Sequence, residues 1–323
     1  MSGPALVGGY AADVLFGDPR RWHPVAGFGQ VALAVERVTY KPTRARGALY
    51  AYGLVAAAAL AGELLARLTA RAGAGRGVAL AGVTWAALGG RSLAGEARRL
   101  ATCIERGDLP AARAALPALC GRDPHGLDAA QLCRAAVESV AENTSDAIVG
   151  ALVWGAIAGP AGVAAYRAAN TLDAMVGHRS ERYESFGWAS AKLDDVMSWP
   201  GARASAGLAA VCSPVVGGSP RRTWRTMRSD GSAHPSPNAG RIEAAFAGAL
   251  GVRLGGVLTY GGVSELRPKL GAGRAPQTRD IHRAARLSWA IGASAAGLSA
   301  AARAARTPRV PRAAAARLRR PAR

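Results

Sequence analysis

The chain has 323 residues, half of them hydrophobic, and a formal charge of +20. That length suits one large domain or two small ones, and an apolar content dominated by Ala, Val and Leu, with few aromatics and many Gly, suits closely packed helices better than a β-sandwich. Lys41, Lys192 and Lys269 are the lysines, so nearly all the positive charge is Arg, with no basic run interleaved with aromatics and no nucleic-acid motif; nucleic acid is excluded as the expected partner. Anionic lipid headgroups fit the excess charge better, at about 1 kcal/mol per basic residue near the surface.

The start, "MSGPALVGGYAADVLFGDP", has no basic leader and no small-residue cleavage site, so no cleavable signal peptide is expected. Asp13, Asp18, His23 and Pro24 in "DVLFGDPRRWHPVAGFG" read singly as turn residues. The segments 49–68, 77–90, 147–166, 204–218 and 287–301 are candidate membrane spans, although Glu63 interrupts the first and mean hydropathy over the chain is barely above zero. A soluble protein with buried Ala-rich helices is the competing reading. Residues 91–134 read as soluble amphipathic helices, one of them opened by Asp108 and Pro110 and stopped at Gly121.

"AVESVAENTSDAIVGALVWGAIAGP" (136–160) sets Glu138, Glu142 and Asp146 at i, i+4 and i+8, within about 80° of one helix face. Three carboxylates on one stripe repel unless a cation sits among them, and Mg2+ suits carboxylate oxygens. The alternative is local: Arg134 paired with Glu138, and "NTSD" as a turn in which Asp146 caps the next helix. Gly159-Pro160 interrupts the uncharged stretch that follows. Each half reaches only about 18 Å, too short for roughly 30 Å of hydrocarbon, so either a hairpin returns the chain to its starting side or a kinked span crosses.

"NTLDAMVGHRSERYESFGWASAKLDD" (170–195) follows, with Asn170 and Asp173 one turn apart, then a loop carrying His178, Arg179 and Arg182, then Lys192, Asp194 and Asp195. Arg offers a planar fork to phosphate or carboxylate; a solvated mixed-charge loop is the plain alternative. "HPSPNAG" (234–240) makes a rigid loop around His234, Ser236 and Asn238 and runs on to Glu243 and "GALGVRLGG". Residues 220–286 otherwise read as punctuated loops with short helices. The tail is Arg-, Ala- and Pro-rich and reads as disordered, favouring a cytoplasmic C-terminus. Cys103, Cys120, Cys133 and Cys212 make no zinc pattern, and no Walker A, GxGxxG, HExxH or GxSxG motif occurs.

Together, "GDP…HPV…G", "GRSLAGEA", "AVESVAENTSD", "YRAANTLDAMVGHRSERYESFGWASAKLDD" and "HPSPNAG…EAAFAGALGVRLGG" closely resemble the CobD/CbiB family of cobalamin biosynthesis, in order from about residue 8 to about 285. The resemblance implies an all-α, polytopic integral membrane helical bundle with motif-bearing polar loops. It implies a single catalytic domain over 1–302, a tail over 303–323, and a place in the bacterial inner membrane with a cytoplasmic site. It also implies an adenosylcobinamide-phosphate synthase, joining adenosylcobyric acid to aminopropanol or its O-phosphate through an amide. Such a ligation calls for ATP and Mg2+.

A carboxylate must be activated, most economically as an acyl phosphate, and the amine must lose a proton. On that chemistry Glu138, Glu142, Asp146 and Asp173 are the expected Mg2+ ligands. Arg179, Arg182 and Lys192 are the expected phosphate binders, His178 the base because its ordinary pKa lies near neutrality, and His234, Ser236 and Asn238 the substrate contacts. The acids at 138–146 and the basic loop must then share one side of the membrane, which the hairpin at Gly159-Pro160 provides. The expected partners are a corrinoid, aminopropanol phosphate, the lipid bilayer and other membrane enzymes of the corrinoid pathway. A membrane corrinoid-binding or assembly protein that forms no bond is the alternative, and a small-solute transporter a weaker one.

Overall fold

The computed structural model describes residues 3–18, 23–178, 180–260 and 263–306. Arg179 and residues 307–323, most of the basic tail, lie outside the described residues, while Arg303 to Arg306 continue the last helix.

Among the described residues the chain forms α1 (Gly3–Phe16), α2 (Pro24–Thr39), α3 (Arg44–Arg71), α4 (Arg76–Ala87), α5 (Gly90–Glu105), α6 (Leu109–Ala115), α7 (Ala129–Thr144), α8 (Gly150–Leu172), α9 (Trp188–Cys212), α10 (Pro220–Asp230) and α11 (Ala239–Leu250), a hairpin of β1 (Leu254–Tyr260) and β2 (Val263–Leu270), and α12 (Thr278–Arg306). The all-helical expectation holds but for this one antiparallel hairpin, in a stretch the sequence reads as loop.

The motifs near the N-terminus are helix ends. His23 Nδ1 accepts from Val25 N–H (3.1 Å) and Pro24 opens α2. Asp13 lies against the start of α5, its Oδ2 2.9 Å from where a Cβ on Gly90 would stand, and Arg91 Nη1 returns to the carbonyls of Val14 (2.7 Å) and Leu15 (3.0 Å) at the end of α1. Arg91 thus closes the end of α1. Asp108 caps α6 as expected, accepting from Ala111 N–H at 3.0 Å. Asp128 and Gln131 form a reciprocal box at the start of α7.

Two stretches, Arg44–Arg71 and Ala129–Gly177, are long and apolar enough to cross a membrane. They differ in setting: 17% of the most apolar window of α3 is buried, against 67% in the second stretch. Leu49, Leu60, Leu64, Leu65 and Leu68 of α3 face outward. Glu63, the charge inside this candidate span, pairs with Arg67 (3.0 Å) and Arg76 (2.6 Å) near the end of the helix, so its charge is neutralised where α3 gives way to α4. The other three candidate spans lie in α4, α9 and α12, which do not reach the same length and apolarity.

The second stretch folds back. Gly159 has φ +65° and ψ −147°, and Pro160 follows. A Cβ on Gly150 would fall on the Tyr166 ring and hydroxyl, and Tyr166 Oη donates to the carbonyl of Asp146 (3.1 Å), so the two arms of α8 lie antiparallel. Arg303 Nη1 donates to the carbonyls of Gly155 (2.9 Å) and Ala156 (3.3 Å), completing the open end of the first arm.

Candidate active site

The turn that was the alternative reading of "NTSD" does not form. Thr144 Oγ1 donates to the carbonyl of Val140 (2.6 Å) and to Ser288 (2.7 Å), and Asn143 Nδ2 to the carbonyl of Ser139 (3.0 Å). The polar side chains fold back onto their own helix instead of breaking it. α7 therefore runs through a π-helical turn, Ser145–Val149, into α8, and Asp146 sits inside that turn rather than at a cap. A second π-helical turn, Asp173–Gly177, ends the returning arm. Such turns widen a helix by one residue and re-aim its side chains; here they place Asp146 and Asp173 on one cavity.

That cavity, about 320 Å3, lies between α7, both π turns, α9, the 234–239 loop, α11 and the β hairpin. Asp146, Asp173, Asp194 and Asp195 make its acidic part and act on one another through their charges. Glu142 adjoins both these and Glu138 and Arg267, and Arg122, His234 and Glu243 are also on the lining. Among the described residues no Lys or Arg forms an ion pair with Glu142, Asp146, Asp173 or Asp194. Burial, and then neighbouring Asp173, pushes Asp194 up to about 7. Its Oδ1 accepts from Ser198 Oγ (3.2 Å) and Asn170 Nδ2 (3.4 Å). Glu243 is also pushed well above the ordinary carboxylate range, first by burial, then by Glu138 and Glu142.

Glu138 departs from its expected place as a metal ligand. Its Oε2 pairs with Arg122 Nη2 at 2.6 Å, both side chains buried, and its Oε1 accepts from Gly255 N–H at 2.7 Å. Gly255 and Gly256 have φ of +77° and +94° at a register shift in the β hairpin, a bulge that aims this amide into the cavity. With both oxygens engaged, Glu138 fixes the wall. His234, Ser236 and Asn238 reach the cavity. Ser236 N–H donates to His234 Nδ1 (3.0 Å), and the ring's Nε2 lies 3.1 Å from Arg267 Nη1 and 3.9 Å from Glu243. Asn238 is tied to Arg203 (2.6 Å) and the carbonyl of Asp195 (2.8 Å).

His178, Arg182 and Lys192 are not brought to this cavity. His178 is exposed and meets Tyr183 edge-on. Arg182 pairs with Glu36 of α2 (2.9 Å) and lies over Tyr40, 4.1 Å from the ring centre, while Tyr183 Oη donates to the same Glu36 oxygen (3.0 Å). Lys192 sits 3.7 Å from Asp195 with its side chain 64% exposed, on the outer side of α9. The cations at the cavity are Arg122 and Arg267. Nothing local marks them in the sequence, because each enters through a long-range contact.

A family model described as CobD/Cbib protein matches residues 6–288. The cobalamin biosynthesis protein CobD of Mycobacterium tuberculosis is 53% identical over 291 residues, covering 90% of this chain and 92% of that protein. The proteins of that name from Geobacter metallireducens and Stutzerimonas stutzeri are each 42% identical, over 288 and 296 residues, covering 84% and 88% of this chain and 86% and 93% of their own. No solved structure matches the chain. By the extent of these matches, the chain belongs to the CobD/Cbib family.

Proposed function

We propose that this protein acts in cobalamin biosynthesis as an amide-forming ligase, joining a corrinoid carboxylate to 1-aminopropan-2-ol or its O-phosphate. The observation that carries the reading is one cavity lined by both carboxylates and guanidinium groups. An amino-alcohol phosphate holds an ammonium and a phosphate a few bonds apart, and the same cavity offers carboxylates to the one and Arg122 and Arg267 to the other. The guanidinium groups take the phosphate, or the phosphates of ATP, and the acidic part takes the amine.

Mg2+ fits the acidic part by donor chemistry: Glu142, Asp146 and Asp173 offer hard oxygens to one space. Among the described residues no three acidic, His or Cys side chains are set to share one ion. That matches a cation that keeps most of its waters and takes one or two carboxylates plus substrate phosphates. Glu142 and Asp146 would hold it, with Asp173 beside them; when bound it offsets their repulsion and presents phosphate oxygens to the cavity.

The amine must lose a proton before it attacks. Asp194, with one oxygen held by Ser198 and Asn170 and a pKa near 7, receives it. His234 is less suited, since each of its ring nitrogens already faces an N–H donor, Ser236 at Nδ1 and Arg267 at Nε2. α3 and the α8 hairpin are the segments embedded in the bilayer. The hairpin returns Asn170 and Asp173 to the side of Glu142 and Asp146, so that one cytoplasmic site is served by both arms.

Incubation of the purified protein with adenosylcobyric acid, aminopropanol phosphate and Mg-ATP is expected to give the amide, and Glu142→Gln to lower the rate at least about a hundredfold, the usual weight of a positioned charged group in a site. Corrinoid binding with no amide under any condition would leave a carrier instead.

A further inference from the structure

We infer that Arg167 is a positioning residue that reaches the acidic part of the cavity from outside it, through Asn170; the consequence for the amine rests on the ligase reading above. Arg167 does not line the cavity. It lines a neighbouring apolar groove of about 370 Å3 whose walls include Val25, Phe28, Leu65 and Val83. One turn on, Asn170 lines the cavity.

Arg167 Nη1 donates to Asn170 Oδ1 at 3.0 Å, and Asn170 Nδ2 donates to Asp194 Oδ1 at 3.4 Å. A guanidinium has donors only, so it holds the amide with its oxygen turned outward and its NH2 turned to Asp194. Without Arg167 the amide can flip, and its oxygen would then face a carboxylate oxygen. Arg167 Nε is buried with no hydrogen-bond partner among the described residues. The guanidinium is therefore not saturated by a structural network of its own. What fixes it is the contact with Asn170.

The test uses the full chain in detergent, without ligand. Arg167→Met and Asp194→Asn are combined in a thermal-melt cycle, once with Asn170 present and once in an Asn170→Ala background. The expected result is a shift for the pair that departs from the sum of the singles when Asn170 is present and equals the sum when it is not. Equal coupling in both backgrounds would mean that Arg167 acts on Asp194 by charge alone, and would overturn the inference. Should Arg167→Met fail to fold, Arg167→Lys, which keeps the charge but not the fork, replaces it: coupling to Asp194 only where Asn170 is present supports the inference, and no coupling in either background overturns it.

Guanidinium supplied in solution gives a second reading. In Arg167→Ala it enters by the groove, and it is expected to raise the melting temperature only where Asn170 is present; the same rise without Asn170 counts against the inference. In the amide-forming assay, Arg167→Met is expected to raise KM for the amine about tenfold, the scale of one hydrogen bond to a charged group, with kcat within about twofold. That arm falls with the ligase reading, whereas the melts stand without it.

Discussion

Two Arg–Glu pairs, one in each of the charged regions the sequence offers, have opposite settings. Arg122–Glu138 is 2.6 Å long with side chains 5% and 7% exposed. Arg182–Glu36 is 2.9 Å long, and only its glutamate is buried, the arginine side chain being 53% exposed. The first walls the cavity and, through Glu138, holds the β hairpin by the amide of Gly255. The second fastens the end of α2 to the loop before α9, with Tyr40 and Tyr183 around it. A run of charges therefore does not by itself announce a binding site. What separates the two regions is whether the charged side chains share an enclosed space, and that is decided by contacts made far along the chain.

Removing Glu138 should give the largest effect. Glu138→Ala leaves Arg122 charged and buried without its carboxylate, a change of about 3–5 kcal/mol, and it frees the hairpin from the cavity wall. Chemical denaturation is expected to register that loss, together with loss of amide formation. A variant as stable as the parent would mean that the pair does not hold the wall. Gly255→Ala comes next. A Cβ there falls on the carbonyl of Pro268, and the residue's φ of +77° is itself unfavourable to Ala, so about 1–3 kcal/mol is expected. The same variant should raise KM for the phosphorylated amine, because the bulge no longer steadies the cavity wall.

Arg182→Ala is the opposite case. Its melting temperature should drop by less than that of Glu138→Ala, because Glu36, though buried, keeps the Tyr183 hydroxyl, and kcat and KM should stay within about twofold of the parent. A large rise in KM for ATP or for the phosphate would return Arg182 to the site and erase the contrast between the two regions.

How far the sequence carried is visible in the same residues. The i, i+4, i+8 spacing of Glu142 and Asp146 with Glu138 was enough to place acids on one stripe, whereas Gly159-Pro160 left a hairpin and a kinked span open, and the contact of Gly150 with Tyr166 realises the hairpin. Helical periodicity could not assign Glu138 a different task from Glu142, because Arg122 and Gly255 come from a loop and a strand. It also could not foresee that Asn143 and Thr144 would bond back to the helix and carry it through a π turn, since the same residues serve equally well as a turn. Arg267 was illegible for a further reason: it lies on β2, a strand in a stretch rich in turn residues.

The smallest effect is also the one that tests the cavity's electrostatics most directly. Burial and Asp173 push Asp194 up to about 7 from an ordinary 3.8. Between those two pH values the folded chain holds a proton on Asp194 that the unfolded chain has lost. Stability from this group therefore falls as pH rises from about 4 to about 7, and levels off above. Melting temperature recorded against pH without Mg2+ should fall across that window, and Asp194→Asn should flatten the slope without removing it, because Glu243 and Asp13 are also raised by burial. Mg2+ should reduce the fall by favouring the ionised carboxylates. Parallel curves for the parent and Asp194→Asn would show that Asp194 is already ionised at pH 5, and the proton acceptor would then have to be found elsewhere in the cavity.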